Sequence, residues 1–169
     1  MIAMTLNRRD PKAPRAAREV AAIENHQRAV RVQVRALELF LQRVKDELDL
    51  RGDCVAVRLI GDAEMARLNG KYRGEKHPTD VLSFPDEEKR PPVLRGDPTR
   101  KHRGAFLGDI AISPVVARRN ARALGRKLPE ELRILILHGV LHLLGYDHEV
   151  DRGEMERVEM RLRRRLGIG

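Results

Sequence analysis

The sequence predicts one compact domain that combines β-strands with α-helices. Its 169 residues suit a single domain with one core. Segments in which apolar and polar residues alternate are typical of strands. They are interspersed with segments whose apolar residues recur every three to four positions, as in amphipathic helices. The sequence shows no internal repeat, so we expect these elements to pack together as one unit.

The first half of the chain predicts two strands and two helices. Residues 20–27 are expected to form a short strand, and the alternation in residues 54–62 predicts a second one. Between them, residues 30–50 carry apolar side chains at a spacing close to 3.6 and predict an amphipathic helix. A shorter helix after the second strand is expected to end at Gly70 or Gly74. The apolar positions of the first helix are Val34, Leu37, Leu39, Phe40, Leu41, Val44 and Leu48, and those on one face of the second strand are Val55, Val57 and Leu59.

The second half predicts two more strands followed by three helices. Prolines bracket the strand predicted for residues 77–85, which places it at a sheet edge or at a strand end. Residues 105–113 predict the next strand, and Ser113 and Pro114 have the chemistry of an N-cap and a first helical position. The helix after that one begins with Pro129 and two acidic residues, and its nearly continuous apolar run predicts burial on most sides. The last helix is charged, with an apolar stripe of Met155, Val158, Leu162 and Leu166.

Two stretches are expected to lack regular structure. Residues 1–19 are rich in Arg, Ala and Pro and predict a flexible basic tail in front of the domain formed by residues 20–169. Residues 86–104 predict a polar loop rich in Pro and Gly, and a loop of this length is either functional or mobile. Arginines near the C-terminus form either a phosphate-binding patch or a solvated helix face. They are Arg161, Arg163, Arg164 and Arg165.

The composition indicates an anionic partner and a reducing compartment. A formal charge of +9 and a pI of about 10.4 favour binding to nucleic acid over a role in solubility alone. The single cysteine, Cys54, permits no intrachain disulfide, and its alternating surroundings predict a buried strand residue and not a nucleophile. No apolar stretch has membrane-spanning length, and the N-terminus lacks the order of a secretory signal. We therefore expect a cytoplasmic protein without a membrane partner.

Three histidines fall within LHGVLHLLGYDH, residues 137–148. His138 and His142 are four apart on a predicted helix, so their side chains share one face, as two metal ligands must. Gly145 can adopt the left-handed conformation that ends a helix and reverses the chain, which can bring His148 back over that face. Three imidazoles suit one Zn²⁺ ion with an open fourth position, whereas the alternative is a set of core histidines. The other histidines lack this context: His26, His77 and His102.

A zinc-peptidase motif has the same histidine spacing but carries a catalytic glutamate where this chain has Gly139. Peptide hydrolysis needs that base, because the base passes a proton to a poor leaving group. A phosphodiester is different, because much of its resistance is negative charge that cations can offset. The missing glutamate and the positive net charge favour a nuclease over a peptidase. We interpret Gly139 as room beside the metal for the substrate.

Three motifs resemble those of the YbeY family of bacterial endoribonucleases. They are LNGKYRGEKHPTDVLSFP (residues 68–85), LGDIAIS (residues 107–113) and HGVLHLLGYDH (residues 138–148). The resemblance implies an α+β domain in which a mixed, mostly four-stranded sheet packs with about five helices, and a zinc ion held by His138, His142 and His148. It implies a single-strand-specific, metal-dependent endoribonuclease that matures the 3′ end of 16S ribosomal RNA and serves ribosome quality control. It also implies contact with a small-subunit ribosomal protein and a ribosome-associated GTPase.

The resemblance places the functional arginine of the family on Arg73. A guanidinium presents forked donors suited to phosphate, and this one is expected to neutralise charge that develops during cleavage. Tyr72 beside it either stacks a base or packs in the fold. Asp147 either accepts a hydrogen bond from a ligand imidazole, acts as a weak base or caps the adjacent turn. Asp80 and Asp109 lie in the shared motifs and are expected to be structural.

Two other functions fit the same residues. A zinc peptidase would take its base from elsewhere in the chain, and a non-catalytic ribosome-assembly factor would use zinc to stabilise its fold. For the nuclease, the metal either activates water or polarises a phosphate oxygen. The nucleophile is either that water or the RNA 2′-hydroxyl group.

Overall fold

The computed structural model describes residues 22–86, 106–147 and 150–169, with Ala22 by its backbone alone. The predicted tail of residues 1–19, the predicted loop of residues 86–104 beyond Asp86, and His148 lie outside the described residues. The elements of the described residues are β1 (Ala22–Asn25), α1 (Val34–Glu47), β2 (Cys54–Leu59), α2 (Asp62–Arg73), β3 (Val81–Pro85), β4 (Phe106–Ile112), α3 (Pro114–Ala123), α4 (Leu128–Leu143) and α5 (Glu154–Leu166).

The four described strands form one sheet in the order β1-β2-β4-β3. Strands β1 and β4 both pair with β2 in parallel, whereas β3 pairs with β4 in the antiparallel direction. The sheet is therefore mixed, and together with the five described helices it confirms the predicted α+β fold. Strand β3, which ends at Pro85, is an edge strand, as the prolines of its motif predicted.

The two faces of the sheet bury different sets of side chains. The alternating residues Val55, Val57 and Leu59 of β2 belong to the larger core, which includes α1 and α4. Helix α2 contributes to a smaller cluster with β3 and β4. Its members are Ile60, Met65, Leu68, Leu82, Phe84 and Ala111. Cys54 occupies one of the half-buried positions of β2, so it is a strand residue as predicted but not a buried one.

Helix α1 is shorter, and its apolar face narrower, than the periodicity predicted. The buried side chain of Gln27 bonds both the N–H and the carbonyl of Val30 at 2.9 Å, which holds the preceding segment in a turn, and the helix begins only at Val34. Leu39 was assigned to the apolar face but is 54% exposed. At the next helix, Gly74 adopts a left-handed φ of 71° and ends α2 at the second of its two predicted positions.

Helix α4 lies at the centre of the fold and carries the two described histidines of the motif. It packs on β3 and β4 and also contacts α1, α3 and α5. Residues 134–144 are all buried, as their nearly continuous apolar run predicted. The helix before it begins as predicted, because the Ser113 hydroxyl accepts a hydrogen bond from the N–H of Val116 at 3.2 Å. None of the described helices has the length and apolar character needed to span a membrane.

Candidate metal centre

Helix α4 places His138 and His142 one turn apart on one face. Their Nε2 atoms lie 2.9 Å apart, and their ring planes meet at 66°. His138 is 9% exposed and His142 is 1% exposed, so the pair is largely shielded from solvent. The spacing of four residues therefore brings two imidazole nitrogens together, as predicted.

The separation of these nitrogens fits two ligands of one zinc ion. Zinc–nitrogen bonds of about 2.0–2.1 Å in tetrahedral geometry place two ligand nitrogens about 3.3 Å apart, a few tenths of an ångström from the observed distance. Gly145 has a φ of 90°, the left-handed turn predicted to reverse the chain after α4. Within the described ranges no group of three side chains is placed to hold a metal ion. The third predicted ligand, His148, falls outside those ranges.

A carboxylate from helix α5 supports the histidine pair. Oε2 of Glu159 lies 2.8 Å from Nδ1 of His138, and Arg163 donates a hydrogen bond to Oε1 of Glu159. Burial raises the pKa of Glu159. The hydrogen bond from His138 and its electrostatic interaction with the carboxylate, and then the charge and hydrogen bond of Arg163, outweigh burial and hold the pKa below its ordinary value. Near neutral pH the carboxylate is therefore ionised and accepts from both neighbours.

Sequence reasoning missed the contacts of Glu159 and Arg163 with this centre. The sequence of α5 does contain a feature that points to Glu159. Glu159 lies four residues after Met155 and three before Leu162 on the apolar stripe, and it is 8% exposed. A charged side chain on an apolar stripe is destabilising unless a partner meets it there. The prediction had assigned Val158 to that stripe, and Val158 is only half-buried.

Gly139 faces the sheet. A Cβ at this position would lie 2.9 Å from two side-chain carbons of Ile110 on β4, and Ile110 is fully buried. The absence of a side chain at Gly139 therefore allows helix α4 to pack directly against Ile110 of strand β4. The interpretation of Gly139 as room for substrate beside the metal is wrong, because Ile110 fills that space.

His138 lies on the wall of two open cavities. The first, of about 410 Å³, lies between α3, α4 and the start of β3, and its polar wall includes Asp80, Asn120 and Arg126. The second cavity, of about 590 Å³, lies alongside α5. Arg163 lines both cavities. These volumes fall within the usual range of ligand pockets. Because Arg163 lines both cavities, an anion bound in either one would meet a guanidinium beside His138.

Arg73 and Tyr72 lie at the C-terminal end of α2. Arg73 is half-buried and lines neither of these cavities. The Tyr72 ring packs edge-on against Phe84 with 5.3 Å between ring centroids, and Nζ of Lys71 lies 4.9 Å from the Tyr72 centroid. These contacts support the packing alternative for Tyr72. The described contacts do not join Arg73 to the histidine pair.

The three predicted aspartates differ in their surroundings. Oδ2 of Asp80 accepts a hydrogen bond from the Asn120 side chain at 3.2 Å, which ties the start of β3 to α3. The carbonyl of Asp147 accepts from the N–H of Asp151 at 2.9 Å in the turn between α4 and α5. Asp109 is half-buried on β4. The described backbone contact of Asp147 is thus a turn contact.

A model of the endoribonuclease YbeY family matches residues 20–167. The chain belongs to the endoribonuclease YbeY family. A relative of that name from Solibacter usitatus is 44% identical over 133 residues, 79% of this chain and 79% of that one. Another from Koribacter versatilis is 44% identical over 137 residues, 81% of this chain and 80% of that one. The solution structure of TM1509 from Thermotoga maritima is similar, with a TM-score of 0.53 and 26% identity over 86% of this chain and 89% of that one.

Membership of the endoribonuclease YbeY family confirms the resemblance predicted from the three motifs. The likeness to a solved structure agrees with the mixed sheet and the five described helices. The match extends through α4 and α5, so the histidine pair, Glu159 and Arg163 all lie inside the matched region.

Proposed function

We propose that this member of the endoribonuclease YbeY family is a zinc-dependent, single-strand-specific endoribonuclease of the cytoplasm. Its proposed substrate is ribosomal RNA at the 3′ end of the 16S molecule, in ribosome maturation and quality control. Its proposed partners are a small-subunit ribosomal protein and a ribosome-associated GTPase. The observation that carries the proposal is the buried pair of Nε2 atoms 2.9 Å apart, beside a cavity whose wall carries arginines.

The proposed zinc site consists of His138 and His142, with His148 as the third ligand. When bound, the ion supplies positive charge and Lewis acidity at a phosphate group. The guanidinium groups of Arg126 and Arg163 in the adjoining cavity attract and orient the RNA backbone. Both groups also bond carboxylates, which limits their motion and holds them in place for an incoming phosphate.

Arg73 is proposed to offset the negative charge that develops on the phosphate during cleavage. Its forked donors suit two phosphate oxygens at once, which a lysine ammonium cannot match. The family motif that contains it leads directly into β3, and β3 packs against the histidine-bearing helix. We propose that the bound RNA strand runs along this edge of the sheet, where Asp80 at the start of β3 lines the first cavity.

A peptidase is less well supported by the same residues. Ile110 occupies the space that a glutamate at position 139 would need. Oε1 and Oε2 of Glu159 already meet Arg163 and Nδ1 of His138, so this carboxylate is not aimed at the Nε2 side of the ring. A phosphodiester, whose cleavage depends more on cationic stabilisation, suits the arrangement better.

The test combines metal analysis with cleavage of a labelled single-stranded RNA and a duplex of the same sequence. Wild type is expected to hold one zinc ion and to cut the single strand. His138→Ala and His142→Ala are expected to lose zinc and cleavage while keeping their circular dichroism spectra. His26→Ala is the control, because His26 is exposed and pairs with Glu24. Unchanged cleavage by the folded variants of α4 would indicate a contaminating nuclease and refute the site.

The ends of the RNA products identify the nucleophile. Attack by the 2′-hydroxyl group leaves a cyclic phosphate, whereas attack by water leaves a linear phosphate. A cyclic phosphate on the first products would therefore identify the 2′-hydroxyl group as the nucleophile and contradict attack by water. Mass spectrometry of short cleavage products distinguishes the two ends.

A further inference from the structure

The contact between His138 and Glu159 decides which nitrogen of the imidazole is available to a metal. A carboxylate can only accept a hydrogen bond, so the proton of a neutral His138 lies on Nδ1, 2.8 Å from Oε2 of Glu159. Nε2 then carries a lone pair, and it is Nε2 that lies 2.9 Å from Nε2 of His142. The Glu159 contact thus leaves Nε2 of His138 unprotonated, and this nitrogen faces Nε2 of His142.

We propose that Glu159 is a positioning residue that fixes the tautomer and orientation of His138 for metal binding, and that Arg163 holds Glu159 in place. The inference rests on the zinc site of the proposed function and adds to it a residue on another helix. Hydrogen-bonded carboxylates commonly orient a ligand imidazole and make it a better donor. Here the carboxylate comes from α5, 21 residues after the ligand on α4.

The geometry argues against a direct chemical role for Glu159. A general base must reach the proton that it removes. Oε2 of Glu159 meets Nδ1 of His138, and Oε1 accepts from Arg163, so both oxygens are engaged on the side of the ring remote from His142. Glu159 therefore acts through His138 and not on the substrate.

Arg163 explains how a carboxylate persists on the apolar stripe of α5. The side chain of Glu159 is 11% exposed and that of Arg163 is 23% exposed. An ionised carboxylate with so little access to water needs charged or hydrogen-bonding partners on both oxygens. His138 serves one oxygen and Arg163, one helical turn further along, serves the other. Arg163 also lines both cavities, so it holds Glu159 from the solvent side.

The test measures zinc affinity by competition with a chromogenic chelator for Zn²⁺ in wild type, Glu159→Leu and Glu156→Leu. Leucine fits the stripe between Met155 and Leu162 and cannot accept a hydrogen bond, so Glu159→Leu is expected to fold and to bind zinc about 10–100-fold more weakly. Glu156 is exposed on the same helix, and its substitution is the matched control with wild-type affinity. Circular dichroism verifies folding. Wild-type affinity in folded Glu159→Leu overturns the inference.

A second measurement tests the inference on the wild-type protein and needs no variant. Nitrogen-15 NMR of metal-free wild-type protein at neutral pH is expected to show His138 as the tautomer with its proton on Nδ1. A proton on Nε2 overturns the inference even if Glu159→Leu fails to fold. Neither measurement uses RNA, so the two proposals fail separately. Zinc binding that depends on Glu159 in a protein that never cuts RNA upholds this inference and refutes the proposed function.

Discussion

The Cβ position of Gly139 lies 2.9 Å from both Cδ1 and Cγ2 of Ile110. Gly139 therefore marks a close approach of helix α4 to strand β4, directly after the first histidine of the pair. In zinc peptidases of the same histidine spacing this position holds the catalytic glutamate. In this protein the position is a packing site, and the helix has no space there for a larger side chain.

Gly139→Ala is predicted to lower the free energy of unfolding by up to about 2 kcal/mol. Overpacking a tight core costs about 1–3 kcal/mol, and the gain in helix propensity returns about 1 kcal/mol of that. Urea unfolding followed by circular dichroism measures the change. Ile110→Ala removes the three carbons nearest to the new methyl group, so the loss on adding Gly139→Ala should be much smaller in that background. Strict additivity of the two substitutions would contradict the packing explanation.

Arg73→Glu is predicted to lower kcat/KM for single-stranded RNA by about 100-fold, because loss of a transition-state donor has effects of that order. Arg67→Glu is the matched control: it makes the same charge change at an exposed position of the same helix. Initial rates at several RNA concentrations give the comparison. An equal loss in both variants would show that Arg73 acts through general electrostatic attraction alone.

Addition of zinc to the metal-free protein is predicted to raise its free energy of unfolding. At a free zinc concentration about 100-fold above the dissociation constant, the free energy of unfolding should rise by about 2.7 kcal/mol. His142→Ala should remove most of this gain, because it removes one of the two converging nitrogens. Thermal unfolding with and without a chelator measures the effect. An equal zinc response in His142→Ala would place the metal elsewhere.

The carboxylate of Asp151 is predicted to stabilise the start of α5 in a pH-dependent way. It accepts hydrogen bonds from the N–H groups of Gly153, Glu154 and Met155 at 2.7, 3.1 and 2.8 Å. The bond from Met155 lowers the pKa of Asp151 most, burial raises it, and the bonds from Gly153 and Glu154 with the charge of Arg157 lower it further, leaving it below the ordinary 3.8.

Because the folded pKa of Asp151 is depressed, its contribution is present above the ordinary value and is lost as the pH falls through the folded value. Asp151→Asn should therefore have a lower Tm than wild type at about pH 6. The two proteins should converge as the pH falls below the ordinary 3.8 and the folded aspartate becomes protonated. A difference in Tm that does not change as the pH falls from about 6 through this acidic range would contradict an electrostatic contribution.

Short-range features of the site were predictable from the sequence. The four-residue spacing of His138 and His142 on a helix requires a shared face, and the left-handed turn at Gly145 follows from its lack of a side chain. The N-cap at Ser113 depends on a bond three residues along the chain. Each of these features is set by the local geometry of a helix, which is the same in every protein.

Long-range features were not predictable in this way. Glu159 meets a residue 21 positions away, and the neighbour of Gly139 comes from a strand 29 residues earlier (139 − 110). The exposed Leu39 and the half-buried Cys54 likewise depend on which face of each element another element covers. Periodicity gives a helix its apolar side but does not say what packs against that side.

The sequence by itself determined the family, the mixed strand and helix content, and the pair of imidazoles on one helical face, because motif, period and spacing act within a few residues. The tertiary structure alone decided that Gly139 serves packing, that Tyr72 packs on Phe84, and that Glu159 and Arg163 brace His138. Those outcomes arise where separate helices and strands are brought into van der Waals and hydrogen-bond contact, and that contact is a property of the packed domain.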